Sequence, residues 1–361
     1  MYTREEMVVL SLMYSKVRKD GYIVPVFNHL LLSEVFKASL VENLSLFDRN
    51  NIRELVEIAV EKCSLRHPDK KFDNCAKELR GFLSAFNYRK AIREAKSELR
   101  TAKEHKIHVV TYLEEGYPEH LKNLEVPPFV LYYKGVLPSE STFEKSLAIV
   151  GARNLEKNYG TELAYNIGEF LLDNGWYNVG CLAPGCAEYG HKGSIGATGV
   201  VLGQGLATTI LPVKNNELAQ EILDNGGFIM SELPPTKRIN PVAVIARDRL
   251  QSGLTKGIIV VESSIGSGTM YAVRYALNQH KKIFVVDAEK FADEIRDSRN
   301  IKGNVELLNR EKDLRTNVNI SMEEKEKIIG VAQREELKRY LDNIEEETHL
   351  EKEMELEKEI A

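Results

Sequence analysis

Residues 106–300 alternate between short runs of β-forming residues and segments of helical length. The predicted strands are residues 107–112, 129–133, 147–150, 178–182, 208–211, 227–230, 257–262 and 283–287. The predicted helices are residues 159–174, 189–198, 217–224 and 269–280. Strands that alternate with helices form βαβ units, so we predict an α/β fold with a doubly wound, mostly parallel sheet. Because the crossovers are right-handed, the loops at the carboxyl ends of the strands should converge on one edge.

The regions on either side differ in composition, and they divide the chain into residues 1–105, 106–300 and 301–361. The first region is predicted to be helical, with a capping box at residues 3–6 and a long helix-forming stretch at residues 75–103. Its only glycines are Gly21 and Gly81. This leaves no glycine-containing hairpin of the kind that presents amides to DNA, so a packing or partner-binding domain is favoured. The third region is predicted to be a charged helical tail.

Composition limits the class of protein. The chain has 361 residues, 43% hydrophobic and 29% charged, which suits a globular protein of about two domains with appendages. Its net charge is −5, but residues 321–361 hold 14 acidic and 7 basic residues, so the body is mildly basic. No apolar run approaches the length of a membrane span, so we expect a cytoplasmic protein. The spacing of the four cysteines predicts free thiols, with no metal site.

The predicted strand-end loops hold the candidate phosphate-binding groups. Glycines supply backbone amides, helix N-termini favour anions, and lysine or arginine supplies the charge. The last of these loops combines a strand at residues 257–262, a glycine- and serine-rich turn and a helix N-terminus, which can hold a phosphate without a metal. The candidate residues are Gly151, Arg153, Lys157, Gly185, His191, Lys192, Lys214, Arg247, Arg249, Ser267, Gly268 and Thr269.

Several motifs appear together in an order that resembles the DprA/Smf family of DNA-processing proteins. The segments GYPEHL at 116–121 and VPPFVLYYKG at 126–135 resemble the lead-in of that family. VGAR at 150–153 follows, and counterparts of later motifs lie at 180–194, 210–234 and 247–269. The resemblance covers residues 108–290, about half of the chain. Each motif alone is weak, whereas their order is fairly specific.

The resemblance implies a Rossmann-like domain that binds single-stranded DNA and helps to load a RecA-type recombinase during DNA uptake or recombination. It implies a homodimer, no catalysis, no cofactor and no membrane partner. Phosphate-facing groups would fall on Gly151, Arg153, Lys192, Arg247, Arg249 and the turn at Ser267 and Gly268. The chain departs from the family pattern at Asp248, at residues 186–188, at Leu211 and in its tail, which has no winged-helix counterpart.

Other interpretations remain open for several of these residues. Arg153 could pair with Glu262, His191 could simply pack or cap a helix, and Gly266 and Gly268 could serve only a tight turn. At most one of Tyr132 and Tyr133 should be free to stack on a base, because neighbouring residues of a strand face opposite sides. Tyr159, Tyr189 and Tyr271 are as consistent with core positions as with base stacking.

Two other functions also remain open. One is a nucleotide-sensing or interaction module of a defence-type assembly, with the two terminal regions contacting partners. The other is an enzyme similar to nucleoside-monophosphate phosphoribohydrolases, whose hallmark is a Pro-Gly-Gly-x-Gly-Thr loop followed by glutamates. Residues 265–271 read IGSGTMY, and no glutamate follows in the next turn, which disfavours the enzyme.

Overall fold

The computed structural model describes residues 2–14, 29–153, 159–287, 290 and 301–360. The chain divides into two compact units. The helical unit comprises Met1–Lys134, Gly203–Thr209 and Met230–Val244, and the sheet unit comprises Gly135–Leu202, Ile210–Ile229 and Ile245–Ala361. A division of the chain at residues 105 and 300 stays a prediction.

The helical unit begins with a capped helix, as predicted. The Thr3 hydroxyl accepts from the Glu6 amide at 3.2 Å, and the Glu6 carboxylate accepts from the Thr3 amide at 2.8 Å. The stretch at 75–103 is broken at residues 85–87, where Asn87 caps a second helix by accepting from the Lys90 amide. The elements are α1 (Arg4–Tyr14), α2 (His29–Val41), α3 (Ile52–Arg66), α4 (Asp73–Ser84), α5 (Tyr88–Glu104), β1 (His108–Thr111), α6 (Glu119–Lys122) and β2 (Val130–Gly135), and β1 pairs with β2 antiparallel.

The sheet unit contains the alternating elements. They are α7 (Glu140–Glu144), β3 (Ser146–Val150), α8 (Tyr159–Asp173), β4 (Tyr177–Gly180), α9 (Cys186–Gly193), β5 (Thr198–Val201), a 3-10 turn (Val213–Asn215), α10 (Asn216–Asp224), β6 (Phe228–Ser231), α11 (Pro241–Ala246), α12 (Asp248–Leu254), β7 (Gly257–Val260), α13 (Thr269–Asn278) and β8 (Lys282–Val286). The chain continues as α14 (Lys302–Leu308), β9 (Leu314–Arg315), β10 (Asn319–Ile320), α15 (Met322–Lys325), β11 (Ile328–Val331) and α16 (Arg334–Ile360). Elements β2, β6 and α11 each span a boundary between the units.

The strands of the sheet unit lie in the order β6-β5-β4-β3-β7-β8-β11. Strand β3 pairs in parallel with β4 on one side and with β7 on the other, and β8 and β11 extend the parallel set. Strands β4, β5 and β6 follow one another on one side of β3, whereas the next strand in sequence, β7, lies on its other side. The predicted doubly wound, mostly parallel sheet is confirmed, and its topological switch point lies between β3 and β7.

Alternate residues of the strands enter two cores, one on each face of the sheet. Ala148 and Val260 pack on one face with α13, whereas Leu147, Ile149 and Ile259 pack on the other. The second core includes Trp176, Leu337, Leu341 and Ile344, so the charged α16 docks on the sheet through its apolar side chains. The Trp176 indole donates to Glu345 of that helix at 2.9 Å.

Three predicted positions differ from the structure. Residues 208–211 form no strand, α9 begins and ends earlier than predicted, and β5 lies at Thr198–Val201, of which the first residue was assigned to a helix. Gly199 explains why β5 carries a weak signal, because a Cβ there would lie 2.1 Å from the Phe228 ring. Strand β11 was also missed, since the region beyond residue 300 reads as charged helix. None of the helices in the described ranges is both long and apolar enough to span a bilayer.

Candidate nucleic-acid interface

Three loops meet at the carboxyl edge of the sheet, beside the switch point. The Ala152 amide, after β3, donates to the Glu262 carbonyl, after β7, at 2.7 Å. The Cys186 amide, at the start of α9, donates to the Ala152 carbonyl at 3.1 Å. We call these segments, residues 151–153, 183–186 and 262–268, the loop cluster. Backbone hydrogen bonds therefore fix the positions of loops that are far apart in sequence.

Two predicted glycines allow this close approach. A Cβ on Gly151 would lie 2.6 Å from the Cys186 sulfur, and a Cβ on Gly185 would lie 2.3 Å from the Ala152 carbonyl oxygen. Gly185 also has a φ of +83°, a backbone conformation that residues other than glycine rarely adopt. Both glycines are required by the packing of the loops, whatever the loops bind.

Arg153 and Gly268 lie together on the exposed side of the loop cluster. A terminal guanidinium nitrogen of Arg153 is 4.0 Å from the position that a Cβ on Gly268 would take. Gly268 precedes α13, and within the described ranges no acceptor faces its amide or that of Thr269. A cation beside open amides at a helix N-terminus is suited to hold an anion. The alternative pairing of Arg153 with Glu262 does not occur among the described residues.

Ser267 and Thr269 have structural partners in the same turn. The Ser267 hydroxyl lies 3.0 Å from that of Ser263, and the Ser267 carbonyl accepts from the Asn317 side chain at 3.1 Å. Thr269 is buried. Of the three candidates in the last loop, Gly268 is therefore the exposed one.

Arg247 is buried and paired. Its guanidinium lies 2.8 Å from the Asp248 carboxylate and donates to the Gln251 side chain at 2.8 Å. Burial raises the pKa of Asp248 to about 6, although the charges of Arg247 and Arg153 oppose the rise. The half-buried Arg249 donates to the Ala246 carbonyl at 3.3 Å. Asp248 thus offsets the charge of Arg247 before any ligand arrives.

Lys192 and Lys214 share one carboxylate. Their ammonium groups lie 2.8 Å and 2.9 Å from the two oxygens of Glu188, in the first turn of α9. Burial opposes the ionisation of Glu188, but the hydrogen bonds and charges of the two lysines outweigh it and lower its pKa. Lys192 also lies 4.4 Å above the Tyr189 ring. The spacing of Glu188 and Lys192 could have indicated their pairing, whereas the contact with Lys214 has no local signal.

His191 is a core residue. It has no exposed surface, and its ring nitrogens lie 2.7 Å from the Thr198 hydroxyl and 3.2 Å from the Cys181 carbonyl. Burial lowers its pKa to about 4, so the ring is neutral at physiological pH. A Cβ on Gly180 would lie 2.6 Å from this ring. This placement favours the packing interpretation.

The remaining candidates divide as follows. Lys157 lies outside the described residues, as does the side chain of Tyr159. Tyr132 is fully buried, whereas Tyr133 stacks on His108 with ring centres 5.0 Å apart. Tyr271 packs on a core, and the four cysteines are free thiols, as predicted. The described ranges contain no group of side chains suited to hold a metal ion.

One residue that holds the loop cluster in place, Asn304, was not predicted from the sequence. The Asn304 side-chain amide donates to the carbonyls of Val261 at 2.9 Å and Val286 at 3.0 Å, so it ties together the carboxyl ends of β7 and β8. Its neighbour Gly303 donates to the Ser263 carbonyl at 2.6 Å. Segment α14 therefore supports the loop cluster from a region assigned to the tail, and no local pattern marks it.

Comparisons with known proteins agree on one family. A family model described as DNA recombination-mediator protein A matches residues 108–324. The DNA processing protein DprA of Bacillus subtilis is 31% identical over 191 residues, which cover 52% of this chain and 63% of that protein. Protein Smf of Escherichia coli is 34% identical over 184 residues, covering 50% and 48%. The chain thus spans about half to two thirds of the length of these relatives.

Two solved structures share the fold. DNA processing protein A of Streptococcus pneumoniae aligns with a TM-score of 0.59 at 19% identity, covering 84% of this chain and 97% of that one. The protein of the same name from Helicobacter pylori, described for its single-stranded DNA binding mode, aligns with a TM-score of 0.53 at 22% identity, covering 67% and 97%.

Proposed function

Because the chain belongs to the DNA recombination-mediator protein A family, we propose that it binds the backbone of single-stranded DNA at the loop cluster. The predicted membership of the DprA/Smf family is thereby confirmed. The observation that supports the site is the position of the exposed Arg153 beside Gly268 at the N-terminus of α13. A phosphate there would meet a guanidinium and backbone amides together.

Arg249 and the lysines around Glu188 would extend this site, and Arg247 would contribute mainly by holding its loop in place. Contacts of this kind read the phosphates and not the base edges, so we expect little sequence preference. We also propose that the chain acts as a homodimer that loads a RecA-type recombinase during DNA uptake or recombination. No catalytic step and no cofactor form part of this proposal.

The test is fluorescence anisotropy of the protein with a labelled single strand of about 30 nucleotides, its duplex and a nucleoside monophosphate across a salt series. We expect preference for the single strand, with affinity that falls steeply as salt rises. Saturable binding of the nucleotide without DNA binding would instead favour the sensor or hydrolase class. Recombinase loading would appear as faster filament assembly on a protein-coated single strand when this protein is added.

A further inference from the structure

The helical unit carries an unusual arrangement of charge on α5. Arg89, Arg93, Lys96, Arg100 and Lys103 are all exposed and follow one another at spacings of four, three, four and three residues. At about 100° per residue, all five lie within a band about 80° wide, and at 1.5 Å per residue they span about 21 Å. We call these five residues the cationic stripe.

The stripe lies on the side of α5 opposite its buried alanines, Ala91, Ala95 and Ala102. In the described part of the chain, none of the five cations has a carboxylate within ion-pair distance. Of the nearby acidic residues, Glu94 pairs with Lys90 and Glu98 accepts from Thr236, and the exposed Glu104 forms no ion pair with the stripe in the described ranges. The stripe therefore presents uncompensated positive charge to solvent.

This arrangement does not help the helix to fold. Each member of the stripe has a like charge three or four residues away, and such pairs destabilise a helix, whereas a merely soluble helix face usually alternates the two signs. A row of cations that costs helix stability and is left unpaired is better explained by an anionic ligand than by solubility.

An aromatic pocket begins where the stripe begins. Its volume is about 470 Å³, and Phe47, Phe86 and Tyr88 line it together with Arg49 and the first stripe residue, Arg89. The Phe47 ring lies 6.2 Å from Phe86 in a stacked orientation and 5.2 Å from Tyr88. The Tyr88 hydroxyl donates to Glu6 at 2.8 Å, which fixes its ring at the rim.

We propose that the cationic stripe and the aromatic pocket form a second binding surface for single-stranded nucleic acid, separate from the loop cluster. The stripe would follow the phosphates, and the pocket would receive a base at one end. A positive track combined with aromatic rings is the arrangement by which proteins bind single strands, because an unpaired base can leave its neighbours and stack. The pocket favours this ligand over an acidic protein or a lipid surface, neither of which needs planar rings.

The first test neutralises the centre of the stripe in the full chain, as Arg93→Gln, Lys96→Gln and Arg100→Gln combined. Three lost phosphate contacts should reduce the slope of log affinity against log salt by about 2 and lower affinity for a single strand about 10- to 100-fold at low salt. The matched control, Lys70→Gln, Lys71→Gln and Lys77→Gln, removes the same charge from exposed positions elsewhere in the helical unit and should leave the slope unchanged. Equal effects of the two triple variants would overturn the proposal.

The second test locates the base. A single strand containing 5-iododeoxyuridine is crosslinked to the full chain by light, and the attached peptides are identified by mass spectrometry. We expect crosslinks at Phe47, Phe86 or Tyr88, also in an Arg153→Ala background, and about tenfold weaker binding in Phe86→Leu. Crosslinks confined to the sheet unit would overturn the proposal of a second surface and leave the proposed site at the loop cluster standing. The same conclusion would follow if the stripe variants lost binding to anionic vesicles but kept their affinity for DNA. Crosslinks at the aromatic pocket but none at the loop cluster would instead contradict the proposed function.

Discussion

Helix α5 and the carboxyl edge of the sheet both concentrate cations, but they differ in how those cations are balanced. At the sheet edge, Asp248 neutralises Arg247, and Glu188 is shared by Lys192 and Lys214. On α5, the five cations of the stripe have no acidic partner among the described residues. The number of lysines and arginines in a segment therefore does not measure the positive charge that a ligand meets.

The physical reason lies in how each region is built. Neighbours on a helix face are set by the helical repeat, so local sequence decides which charges meet. Loops at a sheet edge bring together residues from distant parts of the chain, and an acid such as Glu188 then pairs with Lys214 across 26 positions. A ligand at the sheet edge must compete with these carboxylates, whereas a ligand on α5 need not. The predictions that follow test this difference.

The largest expected effect concerns stability. Arg247→Met keeps most of the side-chain volume but leaves the Asp248 carboxylate, whose side chain is only 13% exposed, without its nearest cation, so the free energy of unfolding should fall by about 3 kcal/mol. Arg100→Gln, on the stripe, should change it by less than about 0.5 kcal/mol. Urea denaturation followed by circular dichroism measures both. Equal stability of the two variants would show that pairing at the sheet edge contributes nothing to the fold.

The second prediction concerns pH. Since burial raises the pKa of Asp248 from 3.8 to about 6, the folded protein binds this proton more tightly than the unfolded chain. Its contribution to stability is full below pH 4 and is lost as pH rises through 6. Asp248→Asn removes this dependence, so the free energy of unfolding of the variant relative to the wild type should rise by about 2 kcal/mol from pH 4 to pH 7.

His191 titrates with the opposite sign and serves as an internal check. Because burial lowers its pKa to about 4, the folded protein loses stability as pH drops below the ordinary value of 6.5. It is present in both the wild type and Asp248→Asn, so its contribution cancels in their difference. A difference between the two proteins that does not vary with pH would mean that Asp248 ionises as an exposed carboxyl does.

The sequence predicts the parts of this molecule in which local pattern and final environment agree. The apolar runs of β3, β7 and β8 become central strands, the box at Thr3 and Glu6 caps α1, and the ordered glycine motifs meet at one edge of the sheet. Strand β5 was missed because Gly199 weakens its β signal, although its fit beneath Phe228 requires glycine. The support from Asn304 and the burial of Arg247 depend on contacts distant in sequence, so no local pattern could have indicated them.

The third prediction changes the balance at the sheet edge. If the loop cluster binds DNA, Glu188→Gln should free Lys192 and Lys214, steepen the salt dependence by about 1 and raise affinity for a single strand about tenfold at low salt. Glu217→Gln is the matched control, because it removes the same charge from an exposed position on α10. Anisotropy titrations measure both variants. Similar gains in the two would attribute the effect to net charge and not to the released lysines.

The smallest expected effect is that of Arg153→Ala. Arg153 is exposed and has no ion pair among the described residues, so its removal should reduce stability far less than that of Arg247. It should weaken single-strand binding about fivefold and reduce the salt slope by about 0.7, the value for one phosphate contact. Lys327→Ala is the control, because this exposed lysine lies just before β11, at the amino edge of the parallel sheet. An unchanged slope in Arg153→Ala, with a reduced slope in the triple variant of the stripe, would assign DNA binding to α5, where the cations are unpaired, and remove it from the loop cluster.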